Sequence, residues 1–160
     1  MKNGIKPIRY LGLILLVAAA YAGSGRLGLL LAIPPGYATA VWPPSGIALA
    51  GMLVLGYRLW PGVWLGSFVV NLWPASDATQ AVSVHSAAVA AGLGVGATLQ
   101  AASGAFLIPR FVGFPNPLNT EADVVRFFVL GGPVSCLVAA TMGNMTLLLG
   151  GVTSWAQVPF

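Results

Sequence analysis

One histidine, His85, one cysteine, Cys136, and three acids, Asp77, Glu121 and Asp123, are what this 160-residue chain offers for acid–base, nucleophilic or metal chemistry. The acids fall in expected loops or at a helix start. The histidine has no second histidine or nearby acid at a ligand spacing, and a lone cysteine builds neither an internal disulfide nor a thiolate metal site. No catalytic set assembles, so the expectation is a non-enzyme with no metal and no cofactor. Gly92-Leu93-Gly94-Val95-Gly96 imitates a phosphate-cradling loop, but Leu99 stands where a dinucleotide fingerprint needs its third glycine, and the strand context is missing.

Binding is the chemistry that remains. Arg26 is ionisable within an apolar segment, a position that marks function by default unless the side chain snorkels to the surface. In Pro34-Pro35-Gly36-Tyr37-Ala38-Thr39-Ala40-Val41-Trp42-Pro43-Pro44-Ser45-Gly46, four prolines remove four backbone donors and stiffen the turn, Pro44 can open a helix, and Tyr37 and Trp42 suit a membrane interface. Arg26, Tyr37, Trp42, Asp77 and His85 all fall toward one leaflet in the topology below. Together they would line an outward-facing pocket for a small polar or anionic ligand. The plainer alternatives are a stiff aromatic-belted loop, Asp77 neutralising Arg26, and His85 as hydrogen-bonded structure.

The elements that must position these groups are membrane helices. Hydrophobic residues make up 58% of the chain and charged residues 6%, with mean hydropathy +0.88, whereas a soluble surface needs about a quarter of its residues charged. The net charge of +4 is no nucleic-acid footprint, because Lys2, Lys6 and Arg9 stand before the first apolar run as a topology signal. That start, with Leu11 to Ala20 and Ala20-Tyr21-Ala22, also imitates a cleavable signal peptide. Apolar sequence resumes at Leu27 to Ile33, which favours one long uncleaved helix.

At about 20 apolar residues per crossing, roughly five spans are expected. They cover about Arg9 to Ile33, Val41 to Gly56, Leu59 to Trp73, Ala81 to Ile108 and Pro133 to Gly151. The second and third are short enough for a re-entrant hairpin, but that would bury Arg58 near mid-membrane, so two spans are favoured. Before the fifth span, Thr120-Glu121-Ala122-Asp123 reads as a helix cap opening a short interfacial helix, which Gly131-Gly132-Pro133 would bend into the span. A cytoplasmic N-terminus then puts the basic residues inside, Arg26 excepted, and leaves Phe160 outside after an odd number of crossings. At least one further helix would have to precede a cytoplasmic output.

Ala88, Gly92 and Gly96 recur on one face of the fourth helix, and Gly62 and Gly66 on one face of the third, as small residues that let backbones approach. Asn71, Gln100 and Asn144 are amides expected to bond between helices and set register. Cys136 is expected as a small packing residue.

The run from Gly36 to Ala50 containing Trp42-Pro43-Pro44-Ser45-Gly46, and the run Gly56-Tyr57-Arg58-Leu59-Trp60-Pro61-Gly62-Val63-Trp64-Leu65-Gly66, resemble the membrane-associated sensor (MASE) domains of the first class. The similarity continues through Gly96 to Leu107, with Gln100 at its centre, and less sharply through Ala140 to Gly143. The resemblance implies an all-α polytopic bundle of about eight spans preceding a histidine kinase or diguanylate cyclase output in bacterial inner membranes. Family members often carry Asn and Glu where this chain has Ala97 and Gln100, and they continue into a Trp-Trp-x-Gly-Asp segment and further spans that it lacks.

The expectation is therefore a single transmembrane sensory domain over residues 1–160, C-terminally incomplete, multi-pass in the inner membrane with its N-terminus cytoplasmic. Its expected partners are the lipid bilayer, an unidentified small-molecule ligand and a second copy through the full-length protein. The alternative is a transporter or its substrate-binding subunit, since broken helices beside an arginine also build midplane sites.

Overall fold

The computed structural model describes residues 7–30, 41–72 and 83–153 in full, and the backbone alone at 32–33 and 38–39. Tyr37 and Asp77 lie outside the described residues. The described elements are helical: α1 (Pro7–Leu29), α2 (Pro43–Leu55), α3 (Trp60–Leu72), α4 (Val84–Phe111), α5 (Glu121–Val129) and α6 (Ser135–Leu149). Two two-residue strands, β1 (Ala32–Ile33) and β2 (Ala38–Thr39), pair antiparallel between α1 and α2.

Three helices are long and apolar enough to cross a membrane: Pro7–Leu29, Val84–Phe111 and Glu121–Leu149. In the last, the short helix expected before the fifth span and the span itself are one 29-residue helix, joined at the expected Gly131-Gly132-Pro133 junction by a π turn over Leu130–Val134. Pro133 lacks an amide, and its ring would strike the carbonyl four residues back in a regular α-turn, so the wider turn accommodates it. The hydroxyl of Ser135 then donates to the carbonyls of Gly131 at 2.6 Å and Gly132 at 3.2 Å. The predicted cap is present, with Thr120 Oγ accepting from the Asp123 amide at 3.2 Å.

The start of α2 follows from Trp42-Pro43-Pro44-Ser45. Trp42 is the cap residue, and the prolines occupy the first helical positions, where no amide partner is required. The Ser45 amide and hydroxyl both return to the Trp42 carbonyl, at 3.2 and 2.8 Å. Gly56, at φ +90°, ends α2, and a short 3-10 turn at Tyr57–Leu59 leads into α3.

Glycines set how closely the helices approach. A Cβ at Gly62 would lie 2.7 Å from the Ile14 carbonyl oxygen, and one at Gly66 would lie 2.7 Å from Tyr21 Cβ. These contacts run α3 parallel to α1. Pro44 beside Gly25 and Trp42 beside Gly28, with Gly51 beside Val17, run α2 antiparallel to it. Tyr10 Oη donates to the Arg58 carbonyl at 2.8 Å, so the α2–α3 turn sits at the level where α1 begins. On α4, Gly94 receives Trp64 of α3, Gly104 receives Leu49 of α2, and Gly92 and Gly96 receive Thr146 and Met142 of α6. Ala88 is exposed. The core formed by Ile14, Val17, Tyr21, Ala48, Met52, Leu59, Val63 and Val70 extends to Ala101 and Ala105 of α4.

Gly66→Leu drives a branched side chain into Tyr21 and the Ala18 carbonyl. It is expected to destabilise the bundle by about 1 to 3 kcal/mol, read as a lowered midpoint of reversible unfolding in detergent. Gly46→Ala, with open space around the added carbon, is expected to change it by less than about 0.5 kcal/mol.

Candidate functional site

A polar cluster lies where α1, α2 and α3 meet. Tyr21 of α1 and Ser67 of α3 are 3% and 2% exposed, and they sit on the apolar inner faces of their helices. The Tyr21 hydroxyl lies within reach of the Trp42 and Ser67 side chains. An indole N–H can only donate, so toward Trp42 the tyrosine oxygen is the acceptor. Asn71 Nδ2 donates to the Ser67 carbonyl at 2.8 Å and to Ser67 Oγ at 3.3 Å. Trp42, Tyr21, Ser67 and Asn71 thus line up as one polar row from the cap of α2, past α1, into α3. Gly28, whose added Cβ would lie 3.4 Å from Trp42 Cε3, keeps α1 thin enough for the indole to lie against it.

This arrangement couples the Trp42-Pro43-Pro44-Ser45-Gly46 corner to the interior of the bundle. In a low-dielectric setting a buried hydroxyl without a partner is costly, so displacement of Trp42 must be answered at Tyr21 and Ser67. Tyr21 and Ser67 escape sequence inspection because each stands in an apolar run. Their four-residue relation to Gly25 on α1 and Asn71 on α3 is the only signal available.

The residues singled out from sequence divide between two flanks of the bundle. Arg26 is exposed near the end of α1, and Trp42 is half-buried against Gly28. His85 is exposed at the start of α4, where its Nε2 meets the Gly150 carbonyl at 2.5 Å; a carbonyl only accepts, so this nitrogen carries the proton. That bond ties His85 to the end of α6, on the face of α4 that also carries Gly92 and Gly96. Tyr37 and Asp77 lie outside the described residues.

Arg58, Trp60 and Pro61 form the α2–α3 corner. Arg58 and Trp60 are exposed, and Gly62 follows as the close contact to α1. Gln100 Nε2 reaches Cys136 Sγ of α6 at 3.3 Å, so the cysteine is an exposed acceptor between helices. Asn71 departs from the interhelical bond expected of it: among the described residues it bonds the Ser67 carbonyl and hydroxyl, both within α3.

A family model described as MASE1 matches residues 11–156, nearly the whole chain. No curated protein and no solved structure matches.

A double-mutant cycle with Tyr21→Phe and Ser67→Ala is expected to return a coupling of about 0.6 kcal/mol or more in detergent unfolding, as for hydrogen bonds inside membrane proteins. Additive effects would mean the two hydroxyls act independently.

Proposed function

Because the chain belongs to the MASE1 family of membrane-associated sensory domains, we propose that it is the sensory input portion of a bacterial signalling protein with a histidine kinase or diguanylate cyclase output. The carrying observation is the family match over residues 11–156, which falls on a helical membrane bundle. The chain passes the inner membrane five times in this reading, with its N-terminus cytoplasmic. At 13 residues each, α2 and α3 are only about 20 Å long, but with their flanking turns they run beside α1 from Gly28 to Tyr10. Alternating passes bring Arg9, Arg58, Arg110 and Arg126 to the cytoplasmic side, in keeping with the positive-inside rule, and leave Arg26 on the other.

The signal enters at the outer end, where Arg26 and Trp42 lie at the α1–α2 junction and His85 at the start of α4, as a small polar or anionic ligand. A ligand shifts the output only through unequal affinity for two helix arrangements. The Trp42–Tyr21–Ser67 chain supplies a means for those arrangements to differ, since moving Trp42 breaks or remakes bonds on α1 and α3.

The test is output activity in membranes carrying the full signalling protein. Tyr21→Phe is expected to change phosphotransfer or cyclic dinucleotide synthesis by about fivefold or more while membrane insertion is unchanged. Unaltered output, or solute uptake by liposomes carrying the protein, would replace sensing with transport. The topology has its own check in intact cells on a Cys136→Ser background: an impermeant thiol reagent is expected to label Asp77→Cys and spare Asn116→Cys.

A further inference from the structure

The segment joining α4 to α5 folds back on both helices. Asn116 Nδ2 donates to the Val112 carbonyl at 2.6 Å, and its Oδ1 accepts from the Leu118 amide at 2.7 Å. Asn116 also reaches Asp123 Oδ2 at 3.5 Å, beside the Thr120 cap of α5. The end of α4 and the start of α5 are held together this way, and between them opens a cleft of about 580 Å³ lined by Arg110, Phe111, Val125, Arg126, Val129 and Leu130.

Its chemistry is divided. Arginines of two helices, α4 and α5, line it, and the other four residues are apolar. The nearest acids in sequence, Glu121 and Asp123, do not line it. Phe111, Val125 and Val129 are exposed, and the apolar flank continues through Phe128 and Leu137 along the α5–α6 helix. That helix of 29 residues is about 43 Å long, against about 30 Å for the hydrocarbon core, so its first turns reach the headgroup layer. Arg110, in the last turn of α4, is at the end of a 28-residue helix.

We propose that this cleft binds the phosphate headgroup of an anionic phospholipid, with Arg110 and Arg126 as the phosphate ligands and the acyl chains along Val125, Val129 and the exposed flank of α6. Paired guanidinium forks match phosphate oxygens bidentately, and basic pockets between membrane helices hold charged headgroups. A free phosphate would use the two arginines and leave four apolar walls idle. The lipid uses both halves of the cleft. The proposal needs the bundle to sit in a bilayer and is independent of the output that it serves.

The experiment is native mass spectrometry of the detergent-purified chain titrated with phosphatidylglycerol. Arg110→Gln/Arg126→Gln is expected to weaken retention by about tenfold or more with the melting temperature unchanged. Arg110→Lys/Arg126→Lys, which keeps the charge and loses the forks, is expected to fall between the two. Arg58→Gln, at an exposed arginine outside the cleft, is expected to bind as the wild type does, and inorganic phosphate is expected not to displace the lipid. Equal retention by the double glutamine variant overturns the site. Equal loss in Arg58→Gln reduces it to general surface charge, and displacement by inorganic phosphate makes it a free-anion site, each of which overturns the proposal.

Discussion

Everything else in this structure depends on how closely α3 can approach α1. Lipid tails are as apolar as leucine, so membrane helices gain little by hiding hydrophobic side chains from one another, and association rests on van der Waals packing and interhelical hydrogen bonds. Gly62 and Gly66 bring the α3 backbone against Ile14, Ala18 and Tyr21 of α1, nearer than any side chain would permit. That approach puts Ser67, one residue beyond Gly66, within reach of Tyr21. It also sets the position from which Trp64, stacked on Phe68 with ring centroids 5.1 Å apart, meets Gly94 of α4.

From α4 outward the same device recurs with different partners. Gly104 accepts Leu49 of α2, while Gly92 and Gly96 admit Thr146 and Met142 of α6. Most hydroxyls in these helices are satisfied locally: Thr98, Ser103, Thr141 and Thr146 each donate to the carbonyl four residues back. A few side chains bond across helices, among them Tyr10 to Arg58, Gln100 to Cys136, and His85 to Gly150. The local bonds keep polar groups out of the lipid, and the crossing bonds pin particular levels of one helix to another. A sensory domain needs such pins, because a shift at one helix end must be carried to its neighbours as a discrete change of partners.

The π turn at Leu130–Val134 adds a second kind of junction. It joins a short amphipathic first part, α5, to a mostly apolar second part, α6, without interrupting the helix, and it places Gly131 against Leu49 and Ile108. Residues near this end of the bundle therefore respond to α2 and α4 together, although they belong to a helix that is largely exposed on its apolar flank.

The sequence by itself determined what depends on composition and on neighbours along the chain. The membrane setting follows from the scarcity of charge, the start of α2 from Pro43 and Pro44 beside Ser45, the cap of α5 from Thr120 and its following acids, and the family from the motifs around Trp42 and Gly62. Each is a local signal, read within a few residues. The tertiary structure decided what depends on which faces meet: the burial of Tyr21 beside Trp42 and Ser67, the turning of Asn71 back into its own helix, the pairing of His85 with α6, and the placing of Arg110 and Arg126 on one cleft. It also decided that Gly131-Gly132-Pro133 is a π turn inside one helix, because the wider turn makes room for the proline ring, while the Ser135 hydroxyl donates to the Gly131 and Gly132 carbonyls beside it. Apolar periodicity carries little facing information in a bilayer, where the lipid-facing and buried sides are equally hydrophobic, so helix faces had to wait for the packing itself.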